Sequence, residues 1–96
     1  MIYTITSISM DDEYIRSTRC FGFFDTLEKA VKAVEINQCD MEECYYDWIV
    51  IEEFSEGIHP RATKEIWYVW NKTEQKWKPC ERNKDFFGPL INFALG

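Results

Sequence analysis

Between Ile2 and Ser9 the chain intersperses Ile and Tyr with Thr and Ser (Ile2-Tyr3-Thr4-Ile5-Thr6-Ser7-Ile8-Ser9). β-branched residues in a half-polar run of this length predict a first strand. Met10-Asp11-Asp12-Glu13 is too polar for core and reads as a connecting loop. A second strand is expected from Tyr14 to about Phe24, with Ile15, Phe21 and Phe23 on one parity and Arg16, Thr18 and Cys20 on the other. Gly22 inside that strand predicts a bulge or a close backbone approach.

The period then changes from two to three or four. Asp25-Thr26-Leu27-Glu28 has the form of a capping box, in which Asp25 accepts from a free amide of the first turn and Glu28 reaches back. Leu27, Ala30, Val31 and Val34 follow at helical spacing, with Lys29, Lys32 and Glu35 opposite them and a Glu28–Lys32 pair along the surface. This helix is expected to end near Asn37.

Tyr45-Tyr46-Asp47-Trp48-Ile49-Val50-Ile51 is apolar at both parities through its middle, as befits a central strand covered on both faces. Ser55 to Pro60 reads as a loop. Ile66-Trp67-Tyr68-Val69-Trp70 and Trp77-Lys78-Pro79-Cys80 then flank Asn71 to Lys76 as a hairpin. A symmetric loop sets Trp70 opposite Trp77, an aromatic pair that stabilises its own register. Pro79 donates no hydrogen bond, which marks the last strand as an edge. The tail Phe86-Phe87-Gly88-Pro89-Leu90-Ile91-Asn92-Phe93-Ala94-Leu95 is apolar, with Pro89 placed to open a short helix. It is expected either to close over the sheet or to pair with a second chain as a homodimer. The fold class is α+β: an antiparallel sheet of about five strands (β-β-α-β-β-β), one main helix packed across it, and a short apolar C-terminal segment. One domain is expected over 1–96, a core at 1–82 and an extension at 83–96, because 96 residues leave too little for two cores.

Charge adds a second pattern. Residues 1–60 hold 13 acids against 4 bases, whereas residues 61–96 hold 4 acids against 7 bases, within a net charge of −6. From Gln38 to Glu56 there are seven acids and no base. Such a run repels nucleic-acid phosphates and favours a basic protein partner, so no direct binding to long nucleic acids is expected. The candidate contact residues are Asp40, Glu42, Glu43, Asp47, Glu52 and Glu53. Trp67, Trp70 and Trp77 join them, since Trp dominates protein-binding hot spots; packing in the core is the competing use of these rings. Stacking of a nucleotide signal on the same aromatics, beside Lys64, Lys72, Lys76, Lys78, Arg82 and Lys84, is a further alternative. A structural module that simply oligomerises is the last.

Three stretches carry a resemblance: Ser17-Thr18-Arg19-Cys20-Phe21-Gly22-Phe23-Phe24-Asp25-Thr26-Leu27-Glu28-Lys29-Ala30, then Tyr45-Tyr46-Asp47-Trp48-Ile49-Val50-Ile51-Glu52, then Ile66 to Trp70 with Trp77-Lys78-Pro79. Together they resemble a group of small uncharacterised proteins of bacteria, their phages and other mobile elements, over roughly residues 2–82. The shared motifs are structural and bring no catalytic residue. The resemblance implies a setting in which small acidic proteins counter host defences. In its sharpest form the expectation is an anti-CRISPR-like inhibitor whose acidic surface occupies the nucleic-acid channel of a host nuclease.

Catalytic and cofactor chemistry find little support. His59 stands alone in Gly-Ile-His-Pro, with no nucleophile elbow near it, and no phosphate loop or zinc-protease helix is present. Asp11-Asp12-Glu13 lacks the spaced ligands and glycine of a calcium loop. The expectation is a protein without enzymatic activity or cofactor. Residues 2–9 do not read as a secretory signal and no stretch has the apolar length of a membrane span. A cytoplasmic setting, in a bacterial host cell, and no membrane contact are therefore expected, with Cys20, Cys39, Cys44 and Cys80 as reduced thiols. Only Cys39 and Cys44 are close in sequence, short of the two close pairs of a structural zinc site. The purified protein is accordingly expected to carry neither stoichiometric zinc nor a disulfide. Elemental analysis finding near one metal per chain after mild chelation would overturn this.

Overall fold

The computed structural model describes residues 1–11, 14–38, 41, 46–58, 60–83 and 93–94. Its elements run β1 (Ile2–Asp11), β2 (Tyr14–Phe24), α1 (Leu27–Glu35), β3 (Trp48–Phe54), β4 (Lys64–Asn71) and β5 (Lys76–Cys80). The five strands make one antiparallel sheet in the order β2-β1-β3-β4-β5. The α+β class with a single helix packed on the sheet is as expected. β1 lies between β2 and β3, so the chain crosses it through α1 to reach β3's place in the sheet.

Apolar residues at both parities of β3 give it cover on both sides, and Ile49, Val50, Ile51, Glu52 and Phe54 are all buried. On the helix side Ile49 and Ile51 pack with Ile5, Tyr68, Trp77, Ala30, Ala33, Val34, Met41 and Tyr46. On the opposite side Val50 packs with Ile8 and Trp67, joined by Met10, Trp48, Cys80 and Phe93.

The boundaries differ from the expected ones for local reasons. β1 runs on to Asp11 because pairing with β2 continues past a register shift, Met10 against Ile15 and Asp11 against Tyr14. β3 begins at Trp48 rather than Tyr45. Tyr46 is buried in the helix-side core, and the Asp47 carboxylate accepts the Met10 N–H at 2.8 Å. The helix is capped by Thr26, whose hydroxyl accepts the Lys29 N–H at 3.3 Å. Asp25 instead pairs with the Lys29 ammonium at 2.8 Å. Thr26 has the extended backbone that an N-cap needs and directly precedes the first turn. At the other end Asn37 takes a left-handed φ of 49°, which stops α1 two residues after Glu35.

The bulge foreseen at Gly22 is present. The register jumps from Ile5–Gly22 to Thr6–Cys20, and Gly22 takes a φ of 154°, a conformation that side chains rarely adopt. Phe21, the extra residue, turns into the helix-side core and meets Tyr46 edge-on at 5.9 Å. Phe21 therefore parts from Ile15 and Phe23, which pair with Met10 and Thr4 on the opposite side and stay exposed. The hairpin has the foreseen register: Trp70 pairs with Trp77, ring centroids 5.2 Å apart, and β5 with its Pro79 is an edge.

Trp77 also donates its indole N–H to the Asn37 side-chain oxygen at 3.1 Å, so the hairpin holds the end of the helix. Trp77→Ala is expected to cost about 3–5 kcal/mol in urea unfolding, as a large buried ring lost from a packed core does. Ile58→Ser, at a residue 92% exposed, is expected to change stability by less than about 0.5 kcal/mol. Similar unfolding midpoints for the two variants would contradict this packing.

Candidate functional site

The sheet side away from α1 holds the most unusual chemistry. Alternation places Trp48, Val50, Glu52 and Phe54 on it, and the strand register sets Thr4 and Glu65 on either side of Glu52. Glu52 is fully buried. Its two carboxylate oxygens accept the backbone N–H groups of Phe93 and Ala94, each at 3.2 Å. Burial pushes this carboxyl up to about 7; the two amide donors pull it down and the nearby Glu65 charge adds to the rise.

Glu65 is half-buried and engaged on its own account. It accepts the Trp67 indole N–H at 3.0 Å and lies 3.6 Å from the Arg82 guanidinium. Trp67 takes the edge of Phe93 at 5.6 Å and packs edge-on against Trp48 at 6.5 Å. The Thr4 and Thr6 hydroxyls in the same patch are buried without a hydrogen-bond partner.

These positions correct part of the expected contact surface. Glu52, Trp67 and Trp77 are inside the protein and present nothing to a partner. Glu53 is half-buried, with a carboxylate oxygen taking the Thr63 hydroxyl at 2.8 Å. The hydroxyls of Thr63 and Tyr3 hold Glu53 below the ordinary carboxylate range, and its bond in turn raises Tyr3. Asp47 is exposed, though one oxygen is committed to the Met10 amide. Trp70 is half-buried and turned edge-on to Trp77. Asp40, Glu42 and Glu43 lie outside the described residues, as do Cys39, Cys44, His59 and the tail at 84–92 and 95–96. Of the tail, Phe93 and Ala94 are described, and both are half-buried.

Sequence reasoning missed two features. One is the role of Glu52 as an interior carboxylate. The other is the outer edge of β2, where Ser17, Thr18, Arg19 and Cys20 are exposed beside Ile15 at 41% and Phe23 at 67% exposure. The signal for the first was present: Glu52 has the parity of Val50 on a strand that reads as covered on both faces.

Concave surface is shallow and uncommitted. A groove of about 640 Å³ runs beside Thr63, Glu65, Trp67, Cys80 and Arg82, and a smaller one of about 210 Å³ lies between the β2 bulge and Ala33. Burial raises the Cys80 thiol, which makes it a poor nucleophile. Among the described residues no group of three or more His, Cys, Asp or Glu is placed to hold a metal ion, and no helix is long and apolar enough to cross a membrane.

Comparison with protein families, curated proteins and solved structures finds no match.

Phe93 packs edge-on against Trp67. Phe93→Ala is expected to cost about 1–2 kcal/mol, from partial apolar burial and a lost aromatic contact. It is also expected to raise acrylamide quenching of tryptophan fluorescence. Unchanged stability together with unchanged quenching would mean that Phe93 does not sit on Trp67 in solution.

Proposed function

We propose that this protein acts by binding a protein partner, which adds a strand along the outer edge of β2. The observation that carries this reading is the difference between the two ends of the sheet. β5 is a five-residue edge containing Pro79, the ordinary protection against unwanted pairing. β2 is an eleven-residue edge without Pro or Lys, flanked by exposed Ile15 and Phe23. Between its two register shifts, from Ser17 to Cys20, this edge is a regular template for main-chain pairing, and the exposed side chains along it set specificity. β2 carries Arg16 and Arg19 and no acid, so the added segment is extended, partly apolar and acidic where it meets Arg19.

The narrower form is a mobile-element inhibitor that counters a host nuclease or another defence protein. The resemblance over residues 2–82 supports it, as does the acidic run, which would supply a second contact to a basic surface. Asp47 and Glu56 are the solvent-facing members of that run among the described residues. Glu52 bears on the non-catalytic part: among the described residues it is the carboxyl raised furthest, and it lies buried beneath Phe93 and Ala94.

The test uses displayed random twelve-residue peptides, selected on the full chain. Selected peptides are expected to protect β2 amides from hydrogen exchange. They are also expected to bind at least tenfold more weakly to the Thr18→Lys, Cys20→Lys double variant, whose exposed substitutions leave folding nearly unchanged. Selected peptides that leave β2 amides unprotected and bind both proteins equally would refute strand addition.

A further inference from the structure

The β2 bulge borders a pocket on the helix side of the sheet, at one end of the regular edge Ser17–Cys20. Its apolar walls are Ile5, Phe21, Phe24, Ala33 and Met41, with exposed Gln38 beside them, and it encloses about 210 Å³. It lies where one extra residue enters β2: Phe21 turns inward, and a Cβ placed on Gly22 meets nothing within 4 Å. Sites for whole small molecules run about 300–1,000 Å³. This pocket is smaller, and its size and walls suit a single apolar side chain.

The charge beside it is positive. Arg19 is exposed, its guanidinium 5.3 Å from the centroid of the Phe21 ring, and it forms no ion pair among the described residues. Phe21 is itself a wall of the pocket, so cation and pocket share one ring. A net charge of −6 disfavours an acidic segment over most of the surface. An uncommitted arginine therefore also decides where such a segment can dock.

Strand register fixes the spacing between the two features. Ser7 pairs with Arg19, Thr6 with Cys20 and Ile5 with Gly22, and Ile5 faces the helix-side core. A strand laid along the outer edge follows the same alternation. Its residue beside Arg19 points to the helix side, the next, beside Cys20, points away, and the one after returns to the helix side at the bulge. Two positions separate the residue that meets the cation from the one that meets the pocket, whichever way the added strand runs.

We propose that the bulge pocket anchors the strand added at β2. It takes one large apolar side chain (Leu, Ile, Met or Phe), and two positions away along the same segment an Asp or Glu lies against Arg19. This inference rests on strand addition and deepens it: main-chain bonds along Ser17–Cys20 supply the pairing, and the anchor with its carboxylate supplies the choice of partner. Placed side by side, the same two residues point to opposite sides of the sheet and cannot both engage.

The experiment uses two displayed libraries of twelve-residue peptides selected on the full chain. One fixes Glu and Leu with a single residue between them, in both orders; the other fixes them adjacent. All other positions are random and free of acids. The spaced library is expected to yield at least tenfold more binders that protect β2 amides from hydrogen exchange. The Leu methyl groups of a bound peptide are expected to show nuclear Overhauser contacts to the Ala33 methyl. Ala33→Leu, which fills the pocket, and Arg19→Glu, which reverses an exposed charge, are each expected to weaken the spaced peptides at least tenfold. Equal yields from the two libraries with β2 amides protected overturn the anchor and leave strand addition standing. Binders that leave β2 unprotected defeat strand addition and the anchor with it. If Ala33→Leu does not fold, the other two measurements decide: undiminished binding to Arg19→Glu, or no contact to the Ala33 methyl, overturns the anchor.

Discussion

Everything in this fold follows from covering β3 on both sides. A strand with Ile49 and Ile51 facing one way and Val50, Glu52 and Phe54 the other cannot lie at the surface of a single-layered sheet. On one side the amphipathic α1 supplies the second layer with Ala30, Ala33 and Val34. A nine-residue helix covers only one side, so the other needs a further piece of chain, and Phe93 against Trp67 is the described part of it. Among the described residues, Phe93 against Trp67 and Ala94 over Glu52 answer that demand.

The order of elements was legible because each rests on a local signal. β-branched composition marked β1, alternation marked β2, helical spacing after a capping sequence marked α1, and Trp70 opposite Trp77 set the last hairpin. What escaped was set by distant contacts. Whether Asp25 or Thr26 caps the helix depends on which of them has extended backbone, and that is settled where β2 leaves the sheet. The parity of Ile15, Phe21 and Phe23 was misread because bulges break the count: one extra residue turns Phe21 inward while the other two stay out.

The contact surface was less legible than the fold. Counting acids along Gln38–Glu56 treats them as one surface, yet the described members have separate uses. Asp47 holds a strand end, Glu53 receives two hydroxyls, Glu52 receives two amides inside the protein, and Glu56 alone of these simply faces water. Similarly, an aromatic-rich hairpin has one composition whether its rings face a partner or each other. Here Trp67 and Trp77 complete two different cores on opposite sides of the same two strands.

The strand order also governs how the chain reaches this state. β1 pairs with β3 through residues that lie 40 to 52 positions apart, from Ile8–Trp48 to Ile2–Phe54. Closing so long a loop must precede any reward from the central ladder, and topologies dominated by such contacts fold slowly. During synthesis the β1–β2 hairpin emerges first and keeps its inner edge open until Phe54 has left the ribosome. At roughly 5–20 residues per second, that edge waits for seconds. For that interval the nascent hairpin has two unpaired edges instead of one, and only β3's arrival closes the inner one.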